Sequence, residues 1–300
     1  MTKSKSLKII LQAGLLSLCL LAVVFVFAAC GNKNEGDPKI IEINYSTEAA
    51  GFQVSEDSMN GLTNYLAQNY SITSIAFVSN DNVDMTKQFV KEVRFGNRLH
   101  AYVYEDNTVL ITSMPTSDTT IKTEIFVVDN ITFSNIGSTV KNIDLGILNF
   151  TENNIVSIDG MFKNCKNISE IDLRGVDLST VKSMNETFAG CEDLTNVKFG
   201  NMKNLESAKE AFKGCKVLNF NSSLDKVVEL PGKLKDITKM FDSCDKLADS
   251  GNINMTVAGS WTTEKLAEAF GTTVPKYGNV NGISFNAVAD KIAEIAARTK

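Results

Sequence analysis

Met161-Phe162-Lys163-Asn164-Cys165, Thr187-Phe188-Ala189-Gly190-Cys191, Ala211-Phe212-Lys213-Gly214-Cys215 and Met240-Phe241-Asp242-Ser243-Cys244 are four versions of one phrase, and their Phe residues stand 26, 24 and 29 positions apart. A period of that size belongs to an array in which each unit is too small to bury its own apolar face and must stack on its neighbours. The expected fold is therefore an α/β repeat solenoid. Function is to be sought in a surface or a location.

Seven, four and one residues before each Phe stand Ile155, Ile158, Met161; Val181, Met184, Thr187; Leu205, Ala208, Ala211; and Leu234, Ile237, Met240. This spacing predicts a two-turn helix with one apolar face. Asn154, Thr180 and Asn204 precede the stripe where side-chain oxygens cap free amides, and Lys233 breaks that column. Asn164, Gly190, Gly214 and Ser243 follow the Phe by two, where a helix stops in a left-handed residue. Past the Cys comes apolar-x-x-apolar-x-apolar, at Ile168, Ile171, Leu173 and at Leu194, Val197, Phe199, which reads as a short strand. Stacked units of helix, turn and strand predict a short parallel strand ladder on one side and helices on the other.

The strand phrase also occurs at Val140, Ile143, Leu145, and more weakly at Ile72, Ile75, Phe77 and at Val90, Val93, Phe95, which ordinary strands would explain. The array is assigned to residues 138–285, with an insertion at 221–226 and a degenerate last unit at Leu266, Ala269 and Phe270. A helix over residues 286–300 caps its open end. Residues 40–137 form a mixed α/β or β-rich lead-in, with a helical face at Met59, Leu62, Leu66 and a hairpin turning at Glu105-Asp106-Asn107-Thr108.

Lys3, Lys5 and Lys8 precede an apolar run from Ile9 to Ala29, which closes in Ala28-Ala29-Cys30 and turns polar at once. A positive start, an apolar middle and small residues at the cut mark an export signal, residues 1–29. The Cys at the cut resembles a bacterial lipobox, with Phe27 in place of the usual Leu. That resemblance implies lipid on the Cys30 thiol, a tether over residues 30–39, and a chain held by lipid on the outer face of the cell membrane; two or three acyl chains anchor stably. An uncleaved anchor helix is the competing reading. The 300 residues carry 43% hydrophobic and 22% charged residues, and their mean hydropathy of −0.03 excludes a polytopic membrane protein. Residues 1–29 hold three Lys and no acid, so their removal takes the formal charge from −5 to −8. An acidic chain without basic clusters argues against nucleic acid as a partner.

Phe-x-x-Cys-x-x-Leu, followed by Ile171-Asp172-Leu173 and Asp177-Leu178-Ser179-Thr180-Val181, resembles the repeats of BspA-like leucine-rich-repeat surface proteins of bacteria, over about residues 140–270. The resemblance implies a non-enzymatic surface protein making protein–protein contact, with adhesion to host, matrix or other cells as the expected task. It carries over no universal binding residue. The alternative is a structural envelope lipoprotein without a soluble ligand; a third reading places an enzyme in residues 40–137.

The chemistry-bearing residues fit this picture. Cys165, Cys191, Cys215 and Cys244 lie about 25 residues apart with His100 the one His of the chain, so zinc spacing is missing and neither metal nor cofactor is expected. Disulfides between neighbouring repeats compete with buried thiols. Parallel side chains pose a disulfide poorly, which favours thiols packed as small hydrophobes. No nucleotide fingerprint or nucleophile elbow occurs, and His100 sits in a strand-like run. Asp144, Glu170, Asp172, Arg174, Asn196 and Lys198 project from the predicted ladder, and they form the candidate ligand face.

Overall fold

The computed structural model describes residues 40–43, 53–54, 56–79, 82–83, 86, 88–95, 99–113, 125–220, 226–249, 253–273 and 277–298. The export signal, Cys30 and the tether lie outside the described residues. In chain order the elements are β1 (Ile40–Ile43), β2 (Gln53–Val54), α1 (Glu56–Asn69), β3 (Ser74–Phe77), β4 (Lys91–Phe95), β5 (Leu99–Val103), β6 (Thr108–Ser113) and β7 (Ile125–Val127). They continue with β8 (Asn142–Asp144), β9 (Leu148–Asn149), β10 (Glu170–Asp172), β11 (Asn196–Lys198), β12 (Lys226–Leu230), α2 (Asp245–Asp249) and β13 (Ile253–Val257). The chain closes with α3 (Thr263–Phe270), β14 (Gly278–Val280), β15 (Ile283–Ser284) and α4 (Phe285–Arg298). One six-stranded sheet has the order β1-β4-β5-β6-β3-β8; β2-β7-β9, β10-β11 and β12-β13-β14-β15 form the others.

The repeated Phe residues form one column. Phe162 lies on Phe188 with ring centroids 5.6 Å apart and planes 4° off parallel, Phe188 on Phe212 at 5.1 Å, Phe212 on Phe241 at 5.7 Å. The column runs past the four phrases at both ends. Phe133 stacks on Phe162 at 5.7 Å, and Phe270 on Phe241 at 5.3 Å. Each end is closed by an edge-on ring, Phe77 against Phe133 and Phe285 against Phe270.

The helix expected in each repeat is not there: residues 155–165, 181–191, 205–215 and 234–244 form runs of tight turns. Alternate amides explain why. Those of Ile158, Gly160, Phe162 and Asn164 donate to the next repeat, at Ser183, Asn185, Thr187 and Ala189, over 2.8–3.0 Å. The amides between them, of Met161, Lys163 and Cys165, donate three residues back, to Ile158, Gly160 and Phe162. A three-residue spacing of apolar side chains is common to a helix face and to such turns. What excludes the helix is the residue two before each Phe, which is left-handed in every repeat: Gly160 (φ 67°), Glu186 (53°), Glu210 (54°) and Lys239 (53°). The expected left-handed stops two after the Phe do occur, at Asn164, Gly190, Gly214 and Ser243, with φ of 61–75°.

The capping column is corrected too. Thr180 Oγ1 donates to Ile155 O at 2.7 Å and Asn204 Nδ2 to Ser179 O at 2.7 Å, so both side chains tie a repeat to its predecessor. Among the described residues the apolar stripe itself is helical only in the last unit, α2 lying past the Cys of the fourth. Here α3 has no following coil to accept its amides, and they turn inward, as Leu266 N to Thr262 O and Gly271 N to Ala267 O, with Thr262 Oγ1 capping Lys265 N.

The boundary at residue 137 also fails, because one apolar core runs from Met59 to Val288. β3 pairs in parallel with β8, Ile75 opposite Ile143, so the weak echo at Ile72-Ile75-Phe77 is the first rung of the stack. The echo at Val90-Val93-Phe95 is an ordinary strand, β4, between β1 and β5. α1 buries Met59, Leu62 and Leu66, and the β5–β6 hairpin turns at Asn107, φ 63°.

The four array cysteines are free and buried. Cys191 Sγ donates to Phe162 O at 3.0 Å, Cys215 to Phe188 O at 3.1 Å, Cys244 to Phe212 O at 3.0 Å, and Cys165 to Phe133 O at a longer 3.7 Å. Each thiol thus binds the carbonyl of the Phe one coil back. Burial pushes all four thiols up, Cys191 to about 12 and the others also far above their ordinary value. Since the thiolate is the reacting form, Cys165, Cys191, Cys215 and Cys244 should resist a thiol reagent at pH 8 in the native protein and react together on unfolding in guanidinium. Labelling of any of the four at the native rate of a free peptide thiol would contradict this.

Candidate functional site

The ligand face predicted from sequence is built by β8, β10 and β11. Glu170 pairs in register with Asn196 and Asp172 with Lys198, because the strand phrase repeats at the same distance past each Cys. Period two turns Ile171 and Val197 inward and their neighbours outward. β8 belongs to the six-stranded sheet, and a groove of about 780 Å³ spans the junction, lined by Ser74, Ala76, Asn142, Asp144, Glu170 and Asp172 among others.

The structure brings all six predicted residues to this face but changes how they stand. Arg174 closes on Asp172 with Nε to Oδ1 at 2.9 Å and Nη2 to Oδ2 at 2.6 Å, while its backbone amide donates to Oδ1 at 3.0 Å. Lys198 pairs diagonally with Glu170. Asn196 is buried rather than exposed, its Nδ2 3.5 Å from Glu170 Oε2. Asp144 accepts the amide of Gly146 at 2.9 Å. Four of the charges are therefore engaged with one another before any ligand arrives.

These contacts show in the acidities. The Arg174 hydrogen bond is the first cause that holds the Asp172 carboxyl down to about 2, and the Lys198 hydrogen bond does the same, in direction, for Glu170. A carboxyl whose folded value is depressed adds stability that is complete above its ordinary value near 4 and is lost as pH falls through about 2. An Arg174→Ala variant should return the Asp172 titration, followed by carboxyl NMR, toward the ordinary value; an unmoved midpoint would remove the guanidinium as the cause.

A second cluster lies in the six-stranded sheet, and sequence reading passed over it. Glu92 and Arg94 on β4 and His100 and Tyr102 on β5 share one face, since residues two apart project the same way. His100, taken above for an ordinary strand residue, is 6% exposed. Its Nδ1 stands 2.8 Å from Glu92 Oε1 and 3.2 Å from Tyr102 Oη, while Nε2 has no partner. Arg94 Nε donates to the same Glu92 oxygen at 2.8 Å. Burial lowers the His100 pKa against the opposing pull of Glu92. The alternation Glu92-x-Arg94 opposite His100-x-Tyr102 is the signal that could have found it.

Among the described residues no three His, Cys, Asp or Glu converge as a metal site, and no helix is long and apolar enough to cross a membrane.

Coil-to-coil hydrogen bonds and an aromatic column thus join residues 133–270, and β10 and β11 carry paired charges on their outward side. A family model described as "Mycoplasma protein of unknown function, DUF285" matches residues 130–254, which begin just before Phe133, the first ring of the column. No match was found among curated proteins or solved structures.

Proposed function

We propose that the protein is a lipid-anchored, extracytoplasmic repeat protein of the leucine-rich-repeat-like solenoid class, similar to BspA-like surface proteins, whose task is protein–protein contact and not catalysis. The observation that carries this reading is the stack itself. Backbone pairing fixes β11 beside β10 and β8 beside β3, and β10 packs next to β8, so their outward side chains form a preorganised surface, and preorganisation lowers the ordering cost of binding. The Ala28-Ala29-Cys30 start supports delivery of that surface to the outside of the membrane. Adhesion to host, matrix or other cells is the form of contact proposed.

Two measurements test the reading. Fatty-acid labelling of cells expressing the chain should mark the protein and vanish in Cys30→Ala. Binding of the surface-displayed protein to matrix proteins and host cells should fall with Asp172→Lys and Lys198→Glu, each of which reverses one charge of the face. Binding by neither cells nor matrix, with lipid still attached, would instead support a structural envelope lipoprotein.

A further inference from the structure

Several array lysines are matched by acids: Glu192 holds both Lys166 and Lys216, Glu186 holds Lys163, Glu210 holds Lys213 and Glu170 holds Lys198. One edge instead brings lysines of successive repeats together. Six residues before each Phe stand Val156, Lys182, Glu206 and Lys235, and their backbones are joined coil to coil. Lys182 N donates to Val156 O at 2.8 Å, Glu206 N to Lys182 O at 2.8 Å and Lys235 N to Glu206 O at 2.7 Å. The next acceptor, Lys235 O, is taken at 3.1 Å by the ammonium of Lys265, which also lies 5.1 Å over the Trp261 ring.

Lys233 adds to the same edge. It replaces the Asn or Thr of the earlier repeats, and its amide donates to Leu205 O at 2.7 Å, leaving its side chain exposed. Lys235 reaches Glu206 at 2.8 Å, and the charges of Lys182 and Lys233 act on the same carboxyl and help hold it below its ordinary range. The other nearby acid, Asp236, accepts the amide of Thr238 through Oδ1 at 3.0 Å. Lys182, Lys233 and Lys235 thus gather around Glu206, with Asp236 and Glu264 as the acids adjoining Lys235 and Lys265, on a chain whose formal charge is −5.

We propose that this edge, Lys182, Lys233, Lys235 and Lys265, is a docking stripe for a linear sulfated polysaccharide. The row runs along the stacking direction: Lys182 and Lys235 are two coils apart, about 10 Å at the usual strand spacing, so a linear polyanion meets successive ammonium groups along its length. A flat anionic membrane would also face the negative remainder of the chain, whereas a narrow polymer touches the stripe alone. The stripe contains no Arg, and Lys supplies compact, rotatable point charges that meet anionic oxygens spaced along a chain without a fixed fork geometry. This surface is separate from the β8–β10–β11 face, and either can fail without the other.

The test is titration of the full-length protein with heparin oligosaccharides at about 50 and about 200 mM salt, a range over which contacts to a polyanion weaken steeply. Saturable binding that weakens at least tenfold with salt is expected. Lys182→Gln/Lys233→Gln/Lys235→Gln should lose at least tenfold more, the corresponding Arg triple should retain binding, and Lys166→Gln/Lys216→Gln should bind as the parent does. No binding at the lower salt would overturn the proposal. So would equal loss in the Lys166/Lys216 control, equal binding of desulfated heparin, or tighter binding of single-stranded DNA of the same charge. Melting temperatures of the variants separate lost binding from lost fold, and Asp172→Lys with Lys198→Glu should leave heparin binding unchanged.

Discussion

Phe188→Ala should cost about 3–5 kcal/mol, the range for removing a buried aromatic side chain and leaving its cavity. Phe188 is fully buried and lies flat between Phe162 at 5.6 Å and Phe212 at 5.1 Å, so truncation strips contacts from two neighbouring coils at once. In a stacked array each unit is supported only by its neighbours, and a gap in the middle weakens two unit interfaces together. A fall in melting temperature of roughly 6–20 °C is expected, at about 2–4 °C per kcal/mol for a chain of this size. Phe188→Leu, which keeps most of the volume, should lose much less. Thermal unfolding followed by circular dichroism decides it: a drop below about 2 °C in the Ala variant would mean that the column is not a main support of the stack.

Gly146→Ala is expected to be at least as damaging, for a different reason. A Cβ on Gly146 would fall 1.7 Å from the carbonyl oxygen of Phe77, and the residue sits at φ 35°. Phe77 O also accepts the amide of Ile147 at 3.2 Å, so the clash falls at the point where β8 is tied to β3. Relief requires one strand to move off the other, which breaks the first rung of the stack and the groove that crosses it. We expect a loss of about 3 kcal/mol or more and early proteolysis at this junction. Gly160→Ala is the control, because Gly160 is left-handed too (φ 67°) but a Cβ there meets nothing within 4 Å. It should cost only about 1 kcal/mol. Equal losses in the two variants would assign the effect to backbone conformation and not to the contact with Phe77.

Some of the architecture was plain in the chain. The Phe phrases announced the stacking period, the left-handed positions at Asn164, Gly190, Gly214 and Ser243 were marked by residue types that adopt them cheaply, and the ladder residues of β10 and β11 followed from alternation. Other features left no such mark. Glu186, Glu210 and Lys239 give no hint that they are left-handed, because coil-to-coil amide bonds, not residue preference, hold them there. Phe133 and Phe77 carry no Cys beside them, so their places at the head of the column were hidden. Alternation puts Glu92 and His100 on one face, but Glu92 stands opposite Tyr102, so their diagonal contact follows only from the strand register.

What the sequence by itself determined is the repeat length, the residues that fill the core column and the strands that follow Cys165 and Cys191. Apolar spacing constrains which side chains must share a buried face, whatever backbone carries them. What only the tertiary structure decided is the form of that backbone and the state of the polar groups on it. A three-residue apolar spacing suits a helix and a run of turns equally; the choice falls to the turns because a following coil is present to accept every second amide, and it reverts to a helix in α3, where the coils end. The pairing of Lys198 with Glu170 and the meeting of Lys182, Glu206 and Lys235 along one edge were settled in the same way, by which repeat lies next to which.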